Sequence, residues 1–154
     1  MPSLPTYRVG LIVPSSNVAM ETEVPALLRA YEHVTGVSFT FHGARTRMKK
    51  LTAEALLAMD REDATCAAYL GDAPCDVQAY ACLVAVMVQG RWAHGAVAER
   101  LHAAAAESGR PAPVVTSAGA LDPPRAAARP VDPRVRQLRR AAGVAGARVS
   151  VAVR

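Results

Sequence analysis

The sequence predicts an α/β fold, a four-stranded parallel sheet with helices on both faces. Three observations predict it. Four short apolar runs alternate with three segments of helical periodicity between residues 7 and 121. The helical segments are 12–19 residues long, the length that carries the chain from one parallel strand to the next. The apolar fraction of 51% over 154 residues supports one compact domain and excludes a disordered chain.

The elements follow in order. Tyr7 to Val13 is an apolar run ended by Pro14, which reads as a buried first strand. Ser15, Ser16 and Asn17 are three successive candidates to cap a helix over residues 20–31. In that helix Met20, Val24, Leu27, Leu28 and Tyr31 recur at helical spacing, and Glu21 and Glu23 suit its positive end. Gly36 stops it, and Val37 to Phe41 alternates as a second strand. Thr52 caps a second helix to Leu70, with Glu54 in its first turn and Gly71 just past its end. Asp76 to Ala81 is a third strand leading into a loop over 82–90. A third helix fits residues 92–108, and Ala112 to Thr116 is the fourth strand.

The net charge of +5 is unevenly placed. Residues 1–121 carry 10 Lys+Arg against 11 Asp+Glu, whereas residues 122–154 carry 8 Arg against 2 Asp. The division is therefore an α/β unit over 7–121 and an Arg/Ala/Pro-rich tail over 122–154. The tail has no Lys and no aromatic residue, which argues against a nucleic-acid footprint. Binding of nucleic acid through its Arg residues is kept as a minor alternative. No run approaches the roughly 20 apolar residues that cross a bilayer, and no charged segment precedes an apolar stretch at the start, so neither a membrane span nor a signal peptide is expected. With three cysteines lacking framework spacing, free thiols and a cytoplasmic setting are the expectation.

In a parallel sheet, ligands bind at the carboxyl ends of the strands. The residues there are Ser15, Ser16 and Asn17 after the first strand, then His42, Arg45 and Arg47 after the second. Cys82 follows the third, and Thr116 and Ser117 follow the fourth. Hydroxyls, an amide, a thiol and positive charge on one edge suit a small carboxylate. Cys82 is the sharpest candidate, because backbone N–H groups at a strand end lower a thiol's pKa and favour the nucleophilic thiolate. The alternative is a buried, inert cysteine. Cys66 falls in mid-helix and reads as structural. Cys75 precedes the third strand, roughly 20 Å of extended chain from Cys82, so it is no partner thiol. Asn17 reads equally as a helix cap, Tyr80 reads as packing, and Arg45, Arg47, Lys49 and Lys50 read as a solvated cluster. No histidine has metal-ligand spacing, and no Gly-rich dinucleotide loop follows the first strand, so no metal is expected.

Four segments together carry a resemblance: Gly10 to Glu23 (GLIVPSSNVAMETE), Phe41 to Lys49 (FHGARTRMK), Tyr80 to Ala85 (YACLVA) and Ala112 to Leu121 (APVVTSAGAL). They resemble maleate cis-trans isomerase, of the aspartate/glutamate racemase superfamily that also holds hydantoin racemase and arylmalonate decarboxylase. The resemblance implies two similar lobes with the active site between them and one cysteine from each, this chain supplying the first lobe. It implies Cys82 as the nucleophile and Asn17 as a carboxylate ligand, with Ser15 and Ser16 beside it. The backbone amides of Leu83 and Val84 would hold a carboxylate, and Thr116 and Ser117 would line the pocket. The implied chemistry is thiolate addition to maleate, rotation about the resulting C2–C3 single bond, and elimination of fumarate. No cofactor is implied.

The resemblance ends at Leu121, and no cysteine follows Cys82. A frameshifted or truncated tail, with impaired turnover, is therefore expected; the alternative is a natural short variant whose tail supplies one more helix and strand. Two further readings stand beside the isomerase: a related racemase or decarboxylase, and a non-catalytic fragment or oligomerisation module. Without a second lobe, Leu83, Val84, Val86, Met87 and Val88 are expected to form an exposed apolar patch that favours a homo-oligomer.

Overall fold

A computed structural model of the chain describes residues 5–90, 92–107 and 111–121. Strand β1 (Thr6–Pro14) is followed by helix α1 (Ala19–Thr35), β2 (Ser38–Thr46), α2 (Ala53–Asp72) and β3 (Val77–Tyr80). A short helix α3 (Leu83–Met87), α4 (Ala93–Glu107), β4 (Val114–Thr116) and α5 (Ser117–Leu121) complete the order. All strand pairs are parallel, in the order β2-β1-β3-β4. The chain thus steps outward from β1 to β2, then returns past β1 to β3. That reversal opens a crevice at the carboxyl ends of β1 and β3.

Side chains on a strand alternate between its faces, and here the alternation sorts two cores. Val9, Leu11, Val13, Val77 and Ala81 lie on one face with Leu28 of α1. Ile12, Tyr80 and Cys82 lie on the other with Leu56, Met59, Cys66 and Leu70 of α2 and Val97 and Leu101 of α4. Helices therefore cover both faces, as predicted. Gly10 lies on the α2 side, where an added Cβ would stand 3.1 Å from Leu70 Cδ1 and 3.3 Å from Cys75 Sγ. Its missing side chain lets α2 approach the sheet.

Local signals explain the helix ends. Thr52 Oγ1 accepts from Ala55 N at 3.2 Å, as a helix cap. Gly36, at φ 66°, closes α1 in the left-handed region and donates its N–H to Glu32 O.

Four expectations need correction. The second strand runs from Ser38 to Thr46, so His42 and Arg45 are strand residues rather than residues after it. The reason is a nine-residue ladder with β1, whose backbone pairing outlasts the apolar pattern. Helix α1 begins at Ala19 with Val18 at its cap position, so none of Ser15, Ser16 and Asn17 occupies it. Gly71 lies within α2, which ends at Asp72. The segment after β3 is a helical turn rather than a loop, because Ala85 and Val86 pack into the core. The tail over 122–154 lies outside the described residues, and so does its proposed boundary role.

Candidate functional site

The strand register brings the expected residues to one edge. Ile12 pairs with Tyr80, Tyr80 pairs with Thr116, and Pro14 pairs with Thr46. Ser15, Ser16 and Asn17, then Cys82, Leu83 and Val84, then Ser117 all leave the sheet from that aligned end, beside Thr116.

Each has a distinct local role. Ser15 is tied to the segment after β2: its N–H donates to Thr46 O at 2.7 Å, and its Oγ accepts from Met48 N at 2.9 Å. Ser16 is exposed. Asn17 is half-buried, its N–H donates to Pro14 O, and its Oδ1 accepts from Met20 N at 3.3 Å. Its side chain thus helps begin α1. Thr116 is buried and its Oγ1 accepts from Gly119 N at 3.0 Å, starting α5. The Ser117 hydroxyl is buried with no hydrogen-bond partner. A buried polar atom left unsatisfied is unfavourable unless something fills it.

Cys82 sits in extended backbone immediately before α3 and is 6% exposed. The expected net fall in its pKa is not what the surroundings produce. Burial pushes the thiol up, and the Asp63 carboxylate pushes the same way, while the N–H groups of Ala85 and Val84 pull down. The amide effect that the sequence suggested is present, and desolvation outweighs it. Cys66, in α2, is raised to about 11 by burial and by Asp63 and Glu62. Cys75 is buried at the other end of β3. Both fit the structural roles expected of them.

Of the basic residues at the end of β2, Arg45 is paired. Arg45 pairs with Glu21 and donates to Ser15 O at 2.8 Å, which fastens the β1 loop to β2. His42 Nε2 lies 3.1 Å from Thr40 Oγ1 within the strand. Arg47 N donates to Glu62 Oε2. Among the described residues, no cluster of His, Cys, Asp or Glu could hold a metal ion.

A buried polar group lies against Tyr80. Asp63 of α2 is fully buried, and Tyr80 donates its hydroxyl to Asp63 Oδ2 at 2.5 Å. Asp63 Oδ1 and Thr46 Oγ1 are buried too, and neither makes a hydrogen bond of good geometry. Burial raises the Asp63 pKa from 3.8 to about 6, with Asp60 adding to it and Tyr80, Thr46 and Arg100 opposing. The run Asp60-Arg61-Glu62-Asp63 reads as a solvated face. The signal that finds Asp63 is its spacing, because Leu56, Met59, Asp63, Cys66 and Leu70 fall on one helical stripe. Nearby, Arg100 of α4 pairs with Asp60, and Gln89 Nε2 donates to Asp60 Oδ1 and to Ala85 O, which ties α3 to α2.

The apolar edge is smaller than expected. Val84, Met87 and Val88 are exposed, joined by Trp92 at 62%, whereas Val86 is buried and Leu83 half-buried. One side of the α3 turn packs into the core, so only its outer side contributes to the patch. No helix among the described residues is long and apolar enough to cross a membrane.

Comparison with known proteins places this geometry. No family model matches the chain. A maleate isomerase of Pseudomonas putida is 52% identical over 115 residues, 75% of this chain and 46% of that protein. One from Geobacillus stearothermophilus is 51% identical over 116 residues, with the same shares. Among solved structures, a Pseudomonas putida maleate isomerase superposes with a TM-score of 0.73 at 52% identity, over 75% of this chain and 47% of that one. A cysteine variant of that enzyme has been solved with maleate. A cysteine-to-serine variant of the Nocardia farcinica maleate cis-trans isomerase, with a covalently bound succinylcysteine intermediate, superposes with a TM-score of 0.70 at 45% identity. The chain spans about half the length of the relatives it matches, and over the three-quarters of its own length that aligns, it is similar to the maleate isomerases in both sequence and fold.

Proposed function

We propose that this chain carries the nucleophile-bearing lobe of a maleate cis-trans isomerase, with Cys82 as the nucleophile. The observation that carries the reading is that Asn17, Cys82 and the unpartnered Ser117 hydroxyl follow the carboxyl ends of the neighbouring strands β1, β3 and β4 on one edge of the sheet. The likeness to isomerases solved with maleate and with a succinylcysteine supports the chemistry.

In this reading the Cys82 thiolate forms a bond to one alkene carbon of maleate, and the π electrons pass to the other carbon and its carboxylate. A proton delivered to that carbon gives the succinyl thioether. The former double bond is now single and rotates. Removal of the same proton re-forms the double bond in the trans arrangement, expels the thiolate and releases fumarate. Asn17 Nδ2 and the Leu83 and Val84 N–H groups hold the carboxylates, with Ser16, Thr116 and Ser117 completing the pocket. Ser15 supports the loop through Thr46 and Met48. The reaction needs no cofactor for electron or group transfer, since addition and elimination balance within the substrate, the thiol and one proton.

The proton donor is assigned to the remainder of a full-length isomerase, so turnover by this chain alone should be impaired. Losing a general acid typically lowers a rate by about 10²–10⁴-fold. Incubation with maleate, followed by NMR for fumarate and by peptide mass spectrometry for a succinyl adduct, tests the reading. The expected result is an adduct on Cys82 that Cys82→Ala removes. An adduct confined to Cys66 or Cys75 would refute it. A panel of α-amino and α-aryl acids separates the isomerase from a racemase or decarboxylase, because racemisation needs an exchangeable α-proton that maleate lacks.

A second reading, a non-catalytic self-associating module, is favoured by one observation, the exposed Val84, Met87, Val88 and Trp92 beside the site.

A further inference from the structure

We propose that Asp63, held by the Tyr80 hydroxyl, is a positioning residue that sets the ionisation of Cys82 and thereby the pH at which this thiol becomes a nucleophile. The proposal rests on the reading of Cys82 as the nucleophile. Tyr80 and Cys82 are two residues apart, so they project to the same side of the sheet, towards α2, while Ala81 projects towards α1. Asp63 meets Tyr80 there, fully buried, 2.5 Å from the Tyr80 oxygen.

Two hydroxyls act on this carboxyl, those of Tyr80 and of Thr46 in β2, and both favour its ionised form. What a carboxylate adds is a negative charge in a poorly solvated space that Cys82 shares. The Asp63 charge opposes a thiolate at Cys82 and at Cys66. The other groups acting on this carboxyl are Asp60 of α2, Arg100 of α4, Tyr80 of β3 and Thr46 of β2. Asp60 and Arg100 pair with each other, so Asp63 supplies the uncompensated charge.

The ionised carboxylate holds Cys82 as a thiol at rest, which protects it from adventitious alkylation and oxidation. Neutralising Asp63 releases the thiol to ionise at lower pH.

The test is the iodoacetamide alkylation rate of each cysteine, read by peptide mass spectrometry on the full chain from pH ~5 to ~11, a window that covers the carboxyl titration and reaches past a thiol held above its ordinary value. In Asp63→Asn the midpoint of the Cys82 profile should fall by about one pH unit, raising its rate near neutrality on the order of tenfold. Cys75 should not move, since the charges acting on it are Asp76 and Arg8. Loosened packing would raise the Cys82 plateau and leave the midpoint in place, and an unchanged midpoint overturns the proposal. Should the variant fail to fold, the unmodified chain still decides. Its Cys82 rate should climb less than tenfold per pH unit while Asp63 ionises, near pH 6; a strict tenfold climb through that region overturns the proposal. Fumarate formation and the maleate adduct are read separately, so a failed isomerase reading stays distinguishable from a failed link between Asp63 and Cys82.

Discussion

Replacing Asp63 by Asn should stabilise this fold at neutral pH, although it alters a fully buried, hydrogen-bonded residue. Folding raises the carboxyl pKa from 3.8 to about 6, chiefly through desolvation. The folded chain therefore holds this proton more tightly than the unfolded chain. Between those two values the folded state binds more protons, so stability falls as pH rises and levels off above about 6. At about 1.36 kcal/mol per pKa unit, the ionised carboxylate costs about 3 kcal/mol at pH 7, and most of that cost is absent at pH 4. In Asp63→Asn, Oδ1 can still accept the Tyr80 hydroxyl and Nδ2 can donate towards Thr46 Oγ1, which makes no hydrogen bond of good geometry. Urea unfolding followed by circular dichroism, on both proteins at pH 4 and pH 7, measures the difference. The stability of the variant relative to the unmodified chain should rise by about 2–3 kcal/mol between the two pH values. Glu54, whose pKa is lowered by hydrogen bonds from its own N–H and from Thr52, acts in the opposite direction but equally in both proteins, so it cancels. A relative stability that is the same at both pH values would refute the reasoning, because it would mean that the buried carboxyl is not charged or not desolvated in the folded chain.

Leu101→Ala should destabilise by about 2–5 kcal/mol, read as a lower urea midpoint, because this side chain is fully buried between α4 and the sheet and its removal leaves a cavity. Gly10→Ala should destabilise by about 1–3 kcal/mol in the same assay, since its Cβ would press on Leu70, Gln78 and Cys75 together. Met87→Lys, placed on the exposed outer side of α3, should weaken any concentration-dependent association seen by sedimentation while leaving the urea midpoint within about 0.5 kcal/mol of the unmodified chain.

The sequence by itself determined the kind of fold and the edge on which the candidate site lies. Apolar runs such as Val9–Val13 need burial on both faces, and the helical stripes at Val24, Leu28 and Leu56–Leu70 provide it, so a parallel sheet sandwiched by helices follows from short-range pattern alone. That choice also fixes that Asn17, Cys82 and Ser117, each just past a strand, emerge on the same side. Tertiary structure decided what pattern cannot carry. Strand order, and with it the switch point between β1 and β3, depends on pairing between residues far apart in the chain. Backbone hydrogen bonds to β1 extended β2 through His42–Thr46, although this stretch carries no apolar run that marks it as a strand. The environment of Cys82 was the furthest out of reach. Its N–H neighbours are local and legible, but the burial that outweighs them and the Asp63 charge that adds to it come from α2, some twenty residues earlier. Asp63 itself reads as one more charge on a helix surface until the stripe it belongs to turns inward, and only the packed structure sets its carboxyl against Tyr80.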